Sequence, residues 1–81
     1  MNEQHYVVRS PEDLGRAIGE LRRANGLTQA QLAATGGISR DWLAHLERGR
    51  QSRSFAIMLR LLRRLGADVI VVPAQARDGQ A

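Results

Sequence analysis

The chain reads as a mainly α protein, a compact bundle of four to five short helices followed by one C-terminal β-strand. Three observations predict this. Hydroxyl residues suited to helix caps (Ser10, Thr28, Ser39 and Ser54) stand before four runs with apolar residues at helical spacing. Gly26, Gly36-Gly37, Gly49 and Gly66 then stop each run in turn. Finally, Val69-Ile70-Val71-Val72 is an aliphatic, mostly β-branched run closed by Pro73, the composition of a strand.

Taken in order, His5-Tyr6-Val7-Val8-Arg9 is a short extended segment. Ser10-Pro11-Glu12-Asp13 then starts a helix: serine caps, proline takes the first helical position, and acids occupy the positive end of the dipole. Leu14, Ala17, Ile18 and Leu21 define its buried face, and Gly26 ends it after Asn25. Gly15 and Gly19 on the same helix mean close packing at most. Thr28-Gln29-Ala30-Gln31 is a capping box opening a short second helix. Ser39 caps the third, where Ile38 staples the entry and Leu43 and Leu46 face inward.

Ser54 is the expected cap of the fourth helix, which runs to Leu65. Its apolar residues, from Phe55 to Leu65, cover roughly 200° of the helical wheel, whereas a helix facing only its own core needs a stripe of ~100°. The excess predicts a second buried surface, most simply another subunit. The strand Val69–Val72 needs a backbone partner. Two candidates are open: the Tyr6 to Arg9 segment, or the same strand of a twofold-related copy.

Composition narrows the function. At 81 residues the chain is expected to form one domain, 1–73, with a small core and a polar, flexible tail at 74–81. There is no cysteine, and His5 and His45 are far apart, so neither a metal nor a cofactor is expected. Ser10, Ser39 and Ser54 read as caps without a base and orienting acid, and no enzyme is expected. Val69–Val72 is too short to span a bilayer, and Met1-Asn2-Glu3-Gln4 lacks a signal peptide's pattern. A cytoplasmic, nucleoid-associated protein is the expectation. Net charge is +4, with every basic charge except histidine carried by arginine. Such a surface attracts phosphate backbones.

The second and third helices, joined by a tight glycine turn, form a helix-turn-helix. In such a pair the first helix crosses the DNA backbone and the second enters the major groove. The free amides at Thr28-Gln29 suit a phosphate. With Leu43 and Leu46 inward, Arg40, Asp41, Ala44 and His45 lie on the other side. Arg40 matches O6 and N7 of guanine, and Asp41 either accepts from cytosine or pairs with Arg40 or Arg48. His45 is a base or phosphate donor, or a solvated residue. Trp42 either contacts DNA or packs against the Phe55 end of the fourth helix or a partner. Arg48, Arg50 and Arg53 follow the recognition helix as a phosphate clamp.

Leu27-Thr28-Gln29, Leu32-Ala33, Gly37-Ile38-Ser39 and Leu46-Glu47-Arg48-Gly49 together resemble the phage-repressor (Cro/C1, XRE) helix-turn-helix family over about residues 14–66. The resemblance implies a lambda-repressor-like fold in which Arg40, Asp41 and His45 read bases. It also implies phosphate contacts from Gln29 and the residues near Ser39, and a structural ion pair between Arg22 and Glu47. The flanks, Val8 to Leu14 and Leu65 to Val72, resemble the HipB-type antitoxins, as does Trp42-Leu43. That likeness implies a dimer joined by the strand Val69, Ile70, Val71 and Val72. It further implies a palindromic double-stranded operator and a HipA-type serine/threonine kinase toxin as partner. A stand-alone repressor, and an interaction module that has lost DNA binding, are the alternative readings.

Overall fold

The computed structural model describes residues 5–50 and 53–74. Residues 1–4 and 75–81, the latter holding all but the first residue of the expected tail, lie outside the described residues. The element order is β1 (Tyr6–Val8), α1 (Pro11–Ala24), α2 (Gln29–Gly36), α3 (Arg40–Glu47), α4 (Arg53–Arg64) and β2 (Val69–Val71).

Each of the first three helices starts on the expected side chain. The Asp13 amide donates to Ser10 Oγ at 3.1 Å, the Gln31 amide to Thr28 Oγ1 at 3.0 Å, and the Trp42 amide to Ser39 Oγ at 3.0 Å. The capping box is complete, because the Thr28 amide donates to Gln31 Oε1 at 2.8 Å. Gly37, at φ 71°, supplies the left-handed residue that turns the chain from α2 toward α3. The fourth start differs from expectation. Helix α4 is already formed at Arg53, so Ser54 lies inside its first turn rather than at its cap.

The core is small: Val8, Ala17, Ala33, Leu43 and Leu59 are its buried apolar residues. Of the face expected on α1 only Ala17 is fully buried; Leu14, Ile18 and Leu21 are half-buried. Also buried on α1, nearly opposite Ala17, are Gly15 and Gly19, which no apolar spacing marks. The reason is a backbone contact. A Cβ on Gly15 would strike the Leu46 carbonyl oxygen and stand 2.7 Å from that of Glu47. Only a glycine lets α1 cross the end of α3 this closely. Gly49, at φ +81°, makes the matching approach, since a Cβ there would lie 2.8 Å from Glu12 Cα.

Strand β2 pairs with β1 within the same chain, antiparallel, with Tyr6 opposite Val71, Val7 opposite Ile70 and Val8 opposite Val69. Of the two partners left open by the sequence, the N-terminal segment is the one that occupies an edge of β2. Val72 lies past the end of the strand. A 3.5 Å ion pair between Arg9 and Asp68 and a 2.9 Å bond from the Arg9 amide to Asp13 Oδ2 tie this sheet to the start of α1.

Helix α4 is the least covered element. Leu59 is its buried residue, while Met58, Leu61, Leu62 and Leu65 form an exposed apolar row at its end. Apolar residues at i, i+3, i+4 and i+7 share one face of a helix. Ile70 and its cross-strand partner Val7 are also exposed, on the outer side of the sheet.

Candidate nucleic-acid interface

The start of α2 and the end of α3 are held by one partly buried polar cluster. Arg22 Nε donates to Glu47 Oε2 at 2.7 Å and Arg22 Nη2 to Glu47 Oε1 at 3.1 Å, a two-point fork. The remaining guanidinium nitrogen, Nη1, donates to the Leu27 carbonyl at 2.9 Å. Thus Arg22 joins three segments: its own helix, the turn into α2, and the end of α3. Both side chains are largely covered, 11% and 9% exposed. Hydrogen bonding to Arg22 holds the Glu47 carboxyl below the usual carboxylate range against the opposing effect of burial, with Gln29 assisting. The same bond raises the Arg22 guanidinium above its ordinary value.

Gln29 stands at the first turn of α2, where backbone amides lack intrahelical acceptors. Its side-chain amide turns inward and donates to Glu47 Oε1 at 3.0 Å. In this arrangement the expected phosphate role of Gln29 falls to its backbone N–H and to the second hydrogen of its side-chain amide. Thr28 and Ser39 are exposed, but each hydroxyl already accepts a capping bond.

The solvent side of α3 carries Arg40, Asp41, Trp42 and His45, all exposed. Arg40 and Asp41 approach to 3.8 Å with side chains 62% and 89% exposed, a loose contact that leaves the guanidinium fork available. Trp42 is 53% exposed. Arg48 and Arg50 follow α3 and Arg53 opens α4, all three exposed.

One residue at the site carried no signal in the sequence. Arg23 also lowers the Glu47 carboxyl through its charge, although only its neighbour Arg22 forms the fork. Together with Glu12, Arg16 and Arg48 it lines a polar cleft of about 310 Å³ over Gly15 and Gly19. Nothing in the local pattern separates Arg23 from Arg22. Their roles diverge because consecutive helical residues point about 100° apart. Among the described residues no group of three or more His, Cys, Asp or Glu is placed to hold a metal ion. No described helix is long and apolar enough to cross a membrane.

Comparison with known proteins agrees with this geometry. The model of the helix-turn-helix domain family matches residues 13–75. An uncharacterized HTH-type transcriptional regulator of Sinorhizobium fredii, y4dJ, is 38% identical over 55 residues, covering 68% of this chain and 71% of the relative. A second from that organism, y4mF, is 27% identical over 71 residues, covering 86% and 93%. An uncharacterized HTH-type transcriptional regulator of Methanothermobacter thermautotrophicus is 42% identical over 53 residues, covering 65% and 77%. No solved structure matches the chain. With two capped helices set at a glycine turn, locked by Arg22 and Glu47, and matched from α1 through β2, this chain belongs to the helix-turn-helix domain family.

Proposed function

We propose that the chain is a sequence-specific DNA-binding transcriptional repressor that acts as a homodimer at the nucleoid. The observation that carries this reading is the exposed N-terminal half of α3, with Arg40, Asp41 and Trp42 open on a helix whose inner side is anchored by Leu43 and Glu47. In a helix-turn-helix this is the surface that meets base edges. The relatives described as transcriptional regulators support it. Arg40 would read a guanine, Asp41 and His45 would contact neighbouring bases or orient Arg40, and Trp42 would meet thymine methyl groups or sugars. The amides opening α2 and the arginines at 48, 50 and 53 would hold phosphates on either side.

The dimer draws on the exposed row Met58, Leu61, Leu62 and Leu65, and on the edge of β2 not paired with β1. Within that frame we assign the chain to the HipB-like antitoxins, on its likeness at the entry to α1 and at β2. It would then repress its own operon and bind a HipA-type kinase toxin. A stand-alone repressor is the second reading, and it fits the description of the relatives as transcriptional regulators equally well.

The test is selection of bound duplexes from a random pool by the full chain. The expected product is a palindrome whose half-site centres lie about one turn, ~34 Å, apart. Failure to enrich any sequence would overturn the repressor reading. Co-expression with the product of the adjacent reading frame tests the antitoxin role: a stable complex with a kinase-like protein supports it, and an adjacent frame of another kind favours the stand-alone repressor.

A further inference from the structure

We propose that Arg60, Arg63 and Arg64, on the flank of α4 turned away from its exposed apolar row, form a docking site for an acidic segment of a partner protein. The three residues stand at i, i+3 and i+4, so they are neighbours on the helix surface. They line a recess of about 310 Å³ and are all exposed. None makes an ion pair with a described acidic residue. Helix α4 contains no Asp or Glu of its own.

Helix-end electrostatics account for part of this cluster. Arg63 and Arg64 lie in the last turn, where cations offset the negative end of the dipole. Arg60 lies a turn earlier and is not explained in that way. Three like charges side by side repel one another, and a ligand bringing carboxylates relieves the repulsion while accepting paired N–H bonds.

The placement favours a protein over a second stretch of DNA. The inference rests on the reading that DNA meets the N-terminal turns of α2 and α3 and the start of α4. At 1.5 Å per residue, Arg60 and Arg64 lie roughly 10 and 16 Å further along the axis than Arg53. They are therefore displaced from the phosphates that Arg53 would hold. At about 100° per residue, the arginine flank is centred on the side of α4 opposite Met58, Leu61, Leu62 and Leu65. A second copy seated on the apolar row leaves the arginines open.

The probe is a fluorescein-labelled twelve-residue peptide alternating Glu and Ala, titrated against the full chain already saturated with a short selected duplex. A Gln-Ala peptide is the control. The expected result is binding of the acidic peptide alone, weakened about tenfold or more in the R60Q/R63Q/R64Q variant. That variant should keep its helical circular dichroism and its affinity for the short duplex. No binding to the DNA-saturated chain, or equal binding to the variant, overturns the proposal. So does a variant that loses affinity only for a longer duplex, which would make the cluster a site for flanking phosphates. If the chain binds no duplex, the repressor reading fails by itself, and the same peptide titration on the free chain still decides the role of the cluster.

Discussion

Arg22 and Glu47, 25 positions apart in the chain, meet through a two-point fork with N···O distances of 2.7 and 3.1 Å. The fork fixes the end of the recognition helix against α1. Through Gln29, which donates to the same carboxylate, it also fixes the start of α2. The orientation of α3 relative to α1 and α2 therefore depends on this contact.

Replacing Glu47 with alanine should lower stability by roughly 2–4 kcal/mol, because it leaves a largely buried guanidinium unpaired. Thermal unfolding monitored by circular dichroism measures this. A variant as stable as the parent would show that the fork contributes nothing net.

The same pair sets a pH dependence. The Glu47 carboxyl is depressed in the folded state, so its contribution is fully present above the unfolded carboxylate value. It is lost as pH falls through the depressed folded value. Midpoint temperatures should fall on acidification, and Glu47→Gln should remove part of that slope. An unchanged slope in the variant would assign the effect to other carboxyls.

Gly15→Ala should destabilise by about 1–3 kcal/mol, since its methyl group meets backbone oxygens of Leu46 and Glu47 that cannot rotate aside. Gly26→Ala has open space around it and tests a different cost, that of a positive φ. Only the first should also weaken DNA binding per folded molecule, because only Gly15 sits against α3. Chemical denaturation and duplex titration separate the two effects.

Arg40→Ala should reduce affinity for the selected site by ~1–3 kcal/mol and relax preference at one base pair per half-site. An equal loss on random duplex would make Arg40 a phosphate contact. Arg48→Gln, Arg50→Gln and Arg53→Gln should weaken binding to all duplexes and each reduce the salt slope by about 1.

Leu61→Glu with Leu65→Glu should convert a dimer to a monomer in sedimentation, since it places charge in the exposed apolar row of α4. The double variant should retain its helical signal, because neither side chain is buried in the single chain. A dimer that survives would move the interface to the sheet edge.

The sequence by itself determined the elements whose causes lie within a few residues. The cap at Ser10, the Thr28–Gln31 box, the cap at Ser39 and the turn at Gly37 each depend on bonds spanning three or four positions. The exposed side of α3 followed from helical spacing once Leu43 was taken as core. The likeness to phage repressors supplied the Arg22–Glu47 pairing, which local pattern alone does not contain. The start of α4 was misplaced by two residues: with Ser54 as cap the helix would open at Phe55, and it opens at Arg53.

Tertiary structure alone decided what depends on residues distant in the chain. It paired β2 with β1, where the aliphatic pattern had left a symmetry mate equally open. It turned the Gln29 amide inward to Glu47, and it named the partner of the close packing at Gly15, the backbone of Leu46 and Glu47. Periodicity reports which face of an element is apolar but not what covers it. In a chain this short the core leaves half of α4 bare, a face whose cover the sequence pattern does not name.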